Sequence, residues 1–569
     1  MSETLLSPGV SAQESDRSLI SKQAQEIGAA ILGPTAKGPV GIPTLVTTPS
    51  EYNAIFGGSV ISGSTSYSYL TNLSANNYFS QGGKSLLVTR IVSASNDWAS
   101  ATSNIPSLLS PTSASFTLST ISKGVIMNST GSENASGSLA SGSIDNVRWE
   151  IQNVNTGSGT FNLIIRRGND TTKNKVVLES YPNLSLDPLS SNYIEKVIGN
   201  TIYNVRNEGS EYYVQTSGSY QNSSNYVIVS SVARKTPNYL NSDGSIKPQY
   251  TSSLPSVGSG SFGGATGNLF TGEAKFNENI SSTNIQGVTA NDYTQSIALL
   301  TNKDEYKFNL ITAPGLNLSD HGTAVNAIVN LAESRQDCIA VIDLDGYGTT
   351  VNGIVQAASG INSSYAATYW PWLQTFDSEV GNVAWVPAST LIPGVYAFSD
   401  KTSEPWFAPA GMSRGSLGNV IQTERKLTAS NKDALYSSNV NPIISSPQTG
   451  IVVFGQKTLQ KQQTALDRVN VRRLLITLKD YITQVASNLV FEQNTMATRN
   501  LFLSQVNPYL ESIQQRQGLY AFKVNMDETL NSPDVIDRNQ LVGQIYLQPT
   551  KAIEYILLNF TITPTGVEF

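Results

Sequence analysis

FNLITAPGLNLSDHGTAVNAIVNLAESRQDCIAVIDLDG, residues 308–346, decides the architecture. Two short apolar runs, 308–312 and 338–342, flank a stretch with Val325, Ile328, Val329 and Ala332 at helical spacing. That spacing predicts a helix over 322–334 between two strands. The alternation extends on both sides, with helices expected at 292–302 and 350–359 and strands at 366–372 and 384–387. Strands alternating with helices imply a sheet wrapped by helices.

Working outward, residues 27–56 read as strand (IGAAILG), a Gly/Pro-rich turn (PTAKGPVGIP), strand (TLVTT) and a helix start at Ser50. A helix over 69–79, a Gly-Gly turn and a strand over 86–92 follow. From 93 to 290 the texture changes to Ser/Thr/Gly/Asn-rich stretches with short β-like runs, such as VRWEIQNV (147–154), FNLIIRR (161–167), EYYVQT (211–216) and NYVIVSSVA (225–233). This predicts all-β insertions with surface loops, and 128–143, nearly devoid of apolar residues, is expected as an exposed loop. Toward the C-terminus, Val471, Leu475, Leu478, Ile482, Val485 and Leu489 form one apolar stripe, which predicts a helix over 457–490. Asn507-Pro508 reads as the start of a further helix and Gly518 as its stop. Strands are expected over 519–524, 541–547 and 553–562, with a polar loop at 528–540. Residues 1–25 and the final PTGVEF read as extended arms.

Composition narrows the function. The 569 residues exceed one ordinary domain, so several compact units are expected. Charged residues make up 14% of the chain, below the roughly 25% usual for soluble domains. The net charge is −6 and no Lys/Arg block occurs, which argues against nucleic acid as a partner. Cys338 is the one cysteine, so no disulfide framework forms within the chain and folding in a reducing cytoplasm is expected. No N-terminal apolar core of a signal peptide and no run of about 18 apolar residues is present, so neither secretion by a signal peptide nor membrane insertion is expected.

The motifs that resemble catalytic ones read better as structure. His321 is the one histidine, which excludes a metal site with two histidines. In Ser319-Asp320-His321 the three residue types of a hydrolytic triad are adjacent, whereas triad partners come from separate segments; Ser319 or Asp320 is expected to cap the following helix. Gly82-Gly83-Lys84-Ser85 resembles the end of a phosphate loop, but Tyr78 stands where that motif needs its first glycine, and a helix precedes where a strand should. Asp343-Leu344-Asp345-Gly346 lacks the ligand spacing and late Glu of a calcium loop. Cys338 opens an apolar strand and is expected to be buried and inert. No catalytic residue, no metal and no cofactor is assigned.

Several segments, in order, carry a family resemblance. Pro8-Gly9-Val10 with Glu14, Asp16 and Ser18, then AAILGPTAKGPVGIPTLVTTPSEYNAIFGG (29–58), NYFSQGGKSLLVTRIV (77–92) and YPNLSLDPLSSNYIEKVIGN (181–200) resemble contractile phage tail sheath proteins. So do TYWPWLQTFD (368–377), VAWVPAST (383–390), EPWFAPAGMSRG (404–415) and the stretch from NPII (441–444) through VRRLLITLKDYI (471–482).

The resemblance implies an α+β multidomain chain, with an inner α/β domain built from both chain ends and β-rich domains inserted outward. Its expected parts are an arm (1–25), a first part of the core (26–92), an outward β-rich insertion (93–290, most variable at 93–143), an α/β core (291–430), a C-terminal unit facing the tube (431–560) and a terminal arm (561–569). It further implies a non-enzymatic subunit that polymerises with itself as stacked six-membered rings in a helix around a tail tube and contracts to drive the tube through the host envelope. Baseplate and tail terminator proteins would meet its ends, and assembly in the host cytoplasm would place it in the virion. A sheath of a related contractile injection system, bacteriocin-like or secretion-type, is the alternative. Val10, Ala12, Glu14, Asp16, Ser18, Ile562, Val567 and Phe569 are the expected arm contacts with neighbouring subunits. Lys457, Lys461, Arg468, Arg472 and Lys479, with Arg473 alongside, are expected as a basic helix face toward the tube.

Overall fold

The computed structural model of the protein describes residues 28–554, apart from 63–64, 110, 130, 132, 210, 270–275 and 448–449. An eight-stranded sheet organises the chain. Its centre is six parallel strands in the spatial order Leu86–Arg90, Ala29–Gly33, Leu310–Asn317, Ile339–Asp343, Ala366–Trp370 and Asn441–Ser446. Thr44–Val46 and Gly450–Val453 pair antiparallel at the two edges.

The strand sequences explain this burial. AAILG, LLVTR and IAVID are buried at every position, because helices cover both faces of the sheet. Successive side chains alternate between two cores. Ala29, Ile31, Val88 and Val341 join helices Leu70–Ser80 and Ile392–Thr402 on one face. Ala30, Leu32, Leu87 and Ile342 join helices Leu318–Arg335 and Val351–Ser359 on the other. Strands from residues 29–90 and 310–453 therefore build one sheet.

The intervening chain makes a separate β core. Antiparallel strands Val177–Ser185, Thr160–Arg167, Val147–Asn155 and Gly258–Ser261 form one sheet, and Val227–Val232, Ala114–Lys123 and Ser100–Pro106 form another. Phe116 and Phe161, one from each sheet, stack at 5.6 Å. At the junction with the central sheet, Arg90 is fully buried and donates to the carbonyls of Gly38 (2.8 Å) and Lys123 (2.7 Å).

Several elements differ from the sequence expectation. The described residues of 128–143 form a largely exposed loop, as expected, but it is anchored at points: Ser129 and Leu139 are buried, and Glu133 pairs with the buried Arg148 guanidinium. Polar loops still anchor when a buried cation needs a partner. Residues 441–453, grouped with the C-terminal unit from sequence, supply two strands of the central sheet. The apolar-stripe helix spans Val469–Ser487 only, and Lys457 and Arg468 upstream of it form an isolated antiparallel bridge. The stripe begins at Val471, and the Gln-rich run before it has no apolar face to bury. Asn507-Pro508 does not start a helix: Thr495 caps one continuous helix, Met496–Gln515, that runs through Pro508. Val506, Leu510 and Ile513 on both sides of that proline are buried together, which offsets the lost hydrogen bond.

Candidate assembly surface

The C-terminal unit begins with two helices, Val469–Ser487 and Met496–Gln515, whose Tyr481 and Tyr509 rings stack at 3.7 Å. An antiparallel hairpin, Leu519–Asn525 with Gln544–Pro549, follows. Strand alternation puts Phe522, Val524, Ile545 and Leu547 against the helices and leaves Tyr520 and Tyr546 exposed. Among the described residues neither outer edge of this hairpin is paired with another strand. An open edge offers a row of backbone donors and acceptors to an incoming strand.

A clamp holds the chain where it leaves the hairpin. The Glu554 carboxylate accepts from Arg468 Nε (2.6 Å) and Nη2 (2.9 Å), from Tyr436 Oη (2.8 Å) and from Gln456 Nε2 (3.3 Å). Lys457 Nζ donates to the Tyr436 carbonyl (2.7 Å) and sits 4.3 Å from its ring centre. Burial alone would raise the Glu554 carboxyl, but the hydrogen bonds from Arg468 and Tyr436, the Arg468 charge and Gln456 outweigh it and hold it below its usual range. Burial, followed by the neighbouring Arg468 charge, lowers Lys457.

Residues 286–459 match the central domain of the phage tail sheath protein, and residues 461–563 match the phage tail sheath C-terminal domain. The chain belongs to the phage tail sheath family. The junction between the two matches falls where the central sheet ends and the C-terminal unit begins. The tail sheath protein of Vibrio phage KVP40 is 33% identical over 305 residues, which is 49% of this chain and 46% of that protein. That of Enterobacteria phage T4 is 32% identical over 302 residues, 50% of this chain and 46% of that protein. The chain thus spans about half the length of the curated relatives it matches. A crystal structure of a sheath tail protein from Listeria innocua shares the fold, with a TM-score of 0.53 at 12% identity over 89% of this chain and 90% of that one. The family is one of structural sheath proteins, not enzymes.

Within this sheath chain the arm residues Val10, Ala12, Glu14, Asp16, Ser18, Ile562, Val567 and Phe569 lie outside the described residues. The expected basic face is not one surface. Arg472 is buried, donates from Nε to the Ser364 carbonyl (3.1 Å) and lies 3.9 Å from the Tyr365 ring centre. Arg473 is buried against Asp400, and Arg468 and Lys457 serve the Glu554 clamp. Lys461 and Lys479 are exposed, with their ammonium groups near the Ser359 carbonyl (2.5 Å) and Gln336 Oε1 (3.1 Å). Sequence spacing does not reveal the clamp, because Tyr436, Gln456, Arg468 and Glu554 are far apart along the chain. The available signal is Glu554 itself, a lone charge inside the apolar run AIEYILL (552–558).

The catalytic-looking motifs are structural. Asn317, not Ser319 or Asp320, caps helix Leu318–Arg335 by accepting from the Asp320 amide (2.8 Å). His321 is buried, with Nδ1 accepting from the Asn317 amide (3.2 Å) and Nε2 2.9 Å from the Ser281 carbonyl. Gly82 has φ +101° in the turn between helix Leu70–Ser80 and strand Leu86–Arg90, a conformation that favours glycine. Burial pushes the Cys338 thiol far up, away from nucleophilic use. Asp343 is buried at the end of its strand, and burial pushes its carboxyl up to about 7 although the Ser389 hydroxyl and amide donate to it.

Proposed function

We propose that this chain is a structural subunit of a contractile tail sheath that polymerises with itself as stacked six-membered rings around a tail tube and shortens to drive the tube through the host envelope. Family membership supports the class, and the curated phage relatives support a virion tail. The observation that carries the mechanism is the C-terminal hairpin, whose two outer edges are open among the described residues. Strand addition there uses backbone hydrogen bonds, so a neighbour's arm can stay attached while subunits rotate. A heterologous contact that does not close on itself produces a helical polymer, and two packings of one subunit separated by a barrier make the extended form metastable.

In this proposal the central sheet and C-terminal unit face the tube, the β core inserted after residue 92 faces outward, and baseplate and terminator proteins contact the two ends of the polymer. Residues 8–20 and 561–569 pair with the hairpins of adjacent copies. Deleting residues 1–20 is expected to leave a folded subunit that forms no regular tubes in negative-stain images. Regular sheaths from that deletion would overturn the arm mechanism.

A further inference from the structure

The Glu554 clamp lines a groove of about 970 Å³ between the end of the central sheet and the C-terminal unit. Trp406, Phe407, Tyr436, Phe454, Leu519 and Tyr520 line it. Phe454 is 50% and Tyr520 63% exposed, uncommon exposure for large apolar rings. Two buried amide oxygens on its wall, Gln456 Oε1 and Asn470 Oδ1, accept no hydrogen bond. Each of these residues is 4% exposed, and their amino groups are already committed, to Glu554 (3.3 Å) and to the Trp406 carbonyl (3.3 Å). Aromatic walls with unmatched buried acceptors suit an extended peptide, which brings apolar side chains and backbone N–H donors together.

We infer that residues 555–562 of the same chain, YILLNFTI, occupy this groove in the unassembled subunit, with backbone amides donating to Gln456 Oε1 and Asn470 Oδ1. Three observations favour this occupant. Residues 550–554 already line the groove, so the described chain ends at it. Glu554 is pinned by four hydrogen bonds, so no slack separates the segment from its site and its effective concentration there is high. The match to the sheath C-terminal domain continues to residue 563, which groups the segment with the unit forming one wall. The inference does not depend on polymerisation. If arms do exchange between copies, residues 561–562 leave the groove with the arm, and the docked residues before them set where it departs.

The test is thiol labelling of the dispersed full chain carrying Ala429→Cys or Phe454→Cys, two residues of the lining; the natural Cys338 is buried. The comparisons are the same chains ending after Glu554 and full chains carrying Leu557→Asp with Leu558→Asp, adjacent positions that would point to opposite sides of an extended segment. Maleimide labelling is expected to be about tenfold or more slower in the parent than in either comparison, independent of protein concentration. Should the shortened chain fail to fold, the paired Asp variant provides the comparison alone. Equal labelling in parent and variants overturns the inference. Protection that disappears on dilution also overturns it, and assigns the groove to a segment of a second copy. Either failure leaves the sheath function untouched, because assembly is not measured.

Discussion

Replacing Asp343 by Asn should stabilise the subunit, and by more as pH rises. The carboxyl is fully buried, no cation contributes to its shift, and burial moves it from its ordinary 3.8 to about 7. Between those values the native state keeps a proton that the unfolded chain has released. Deprotonation therefore favours unfolding, and stability present at low pH is lost as pH rises through the folded value, at about 1.4 kcal/mol per pH unit. Integrated, this group's disadvantage is about 1.6 kcal/mol at pH 5 and about 4 kcal/mol at pH 8. Asn keeps an acceptor for the Ser389 amide (3.1 Å) and can donate to the Ser389 hydroxyl, so the local contacts survive. Urea unfolding of dispersed subunits at pH 5 and pH 8 measures the difference between Asp343→Asn and its parent, which cancels the other titrating groups. That difference should grow by about 3 kcal/mol across the range. A difference that is flat with pH, or a variant less stable than its parent at pH 8, would refute the reasoning.

The polar segment 128–143 supplies a second test: Glu133→Ala should cost about 1–3 kcal/mol, read as a lower denaturation midpoint, because Arg148 is fully buried and keeps only Asp170 at 3.6 Å as a charged partner. Replacing all of 128–143 by a Gly/Ser linker should cost more than Glu133→Ala, since the Ser129 hydroxyl bridge from the Phe262 amide (3.0 Å) to the Val147 carbonyl (2.7 Å) goes too. Reversing the exposed Lys461 and Lys479 to Glu should leave the midpoint within about 0.5 kcal/mol while slowing sheath growth on isolated tubes, an effect that weakens with salt. Unchanged growth at low salt would remove both residues from the tube contact.

Much of the fold was legible because the central strands leave an unmistakable trace. AAILG, LLVTR and IAVID are short, continuous and bounded by turns, and both faces of a covered sheet demand apolar residues at every position. Register and strand order were not legible. Ala29–Gly33 lies between Leu86–Arg90 and Leu310–Asn317, and nothing local to the first strand indicates a partner about 280 residues away. Helix ends failed where local signals conflicted with tertiary burial. Pro508 after Asn507 reads as a helix start, yet buried Val506 and Leu510 hold one helix through it.

The basic residues near the apolar-stripe helix show why the candidate surface was harder to read than the fold. A charge pattern reports where cations are along the chain, not whether another segment covers them. Arg472 lies against Tyr365 and Arg473 against Asp400, contacts made by segments more than 70 residues upstream. Arg468 is engaged by Glu554, 86 residues downstream. These guanidiniums join segments of the subunit to one another, and Arg472 and Arg473 are buried in doing so. Arg472 and Arg473 are also expensive to expose, since moving them would leave a carboxylate or a carbonyl unpaired. Motions that accompany shortening of a sheath should therefore preserve the joint between the central sheet and the C-terminal unit, and concentrate where the described structure leaves strand edges open.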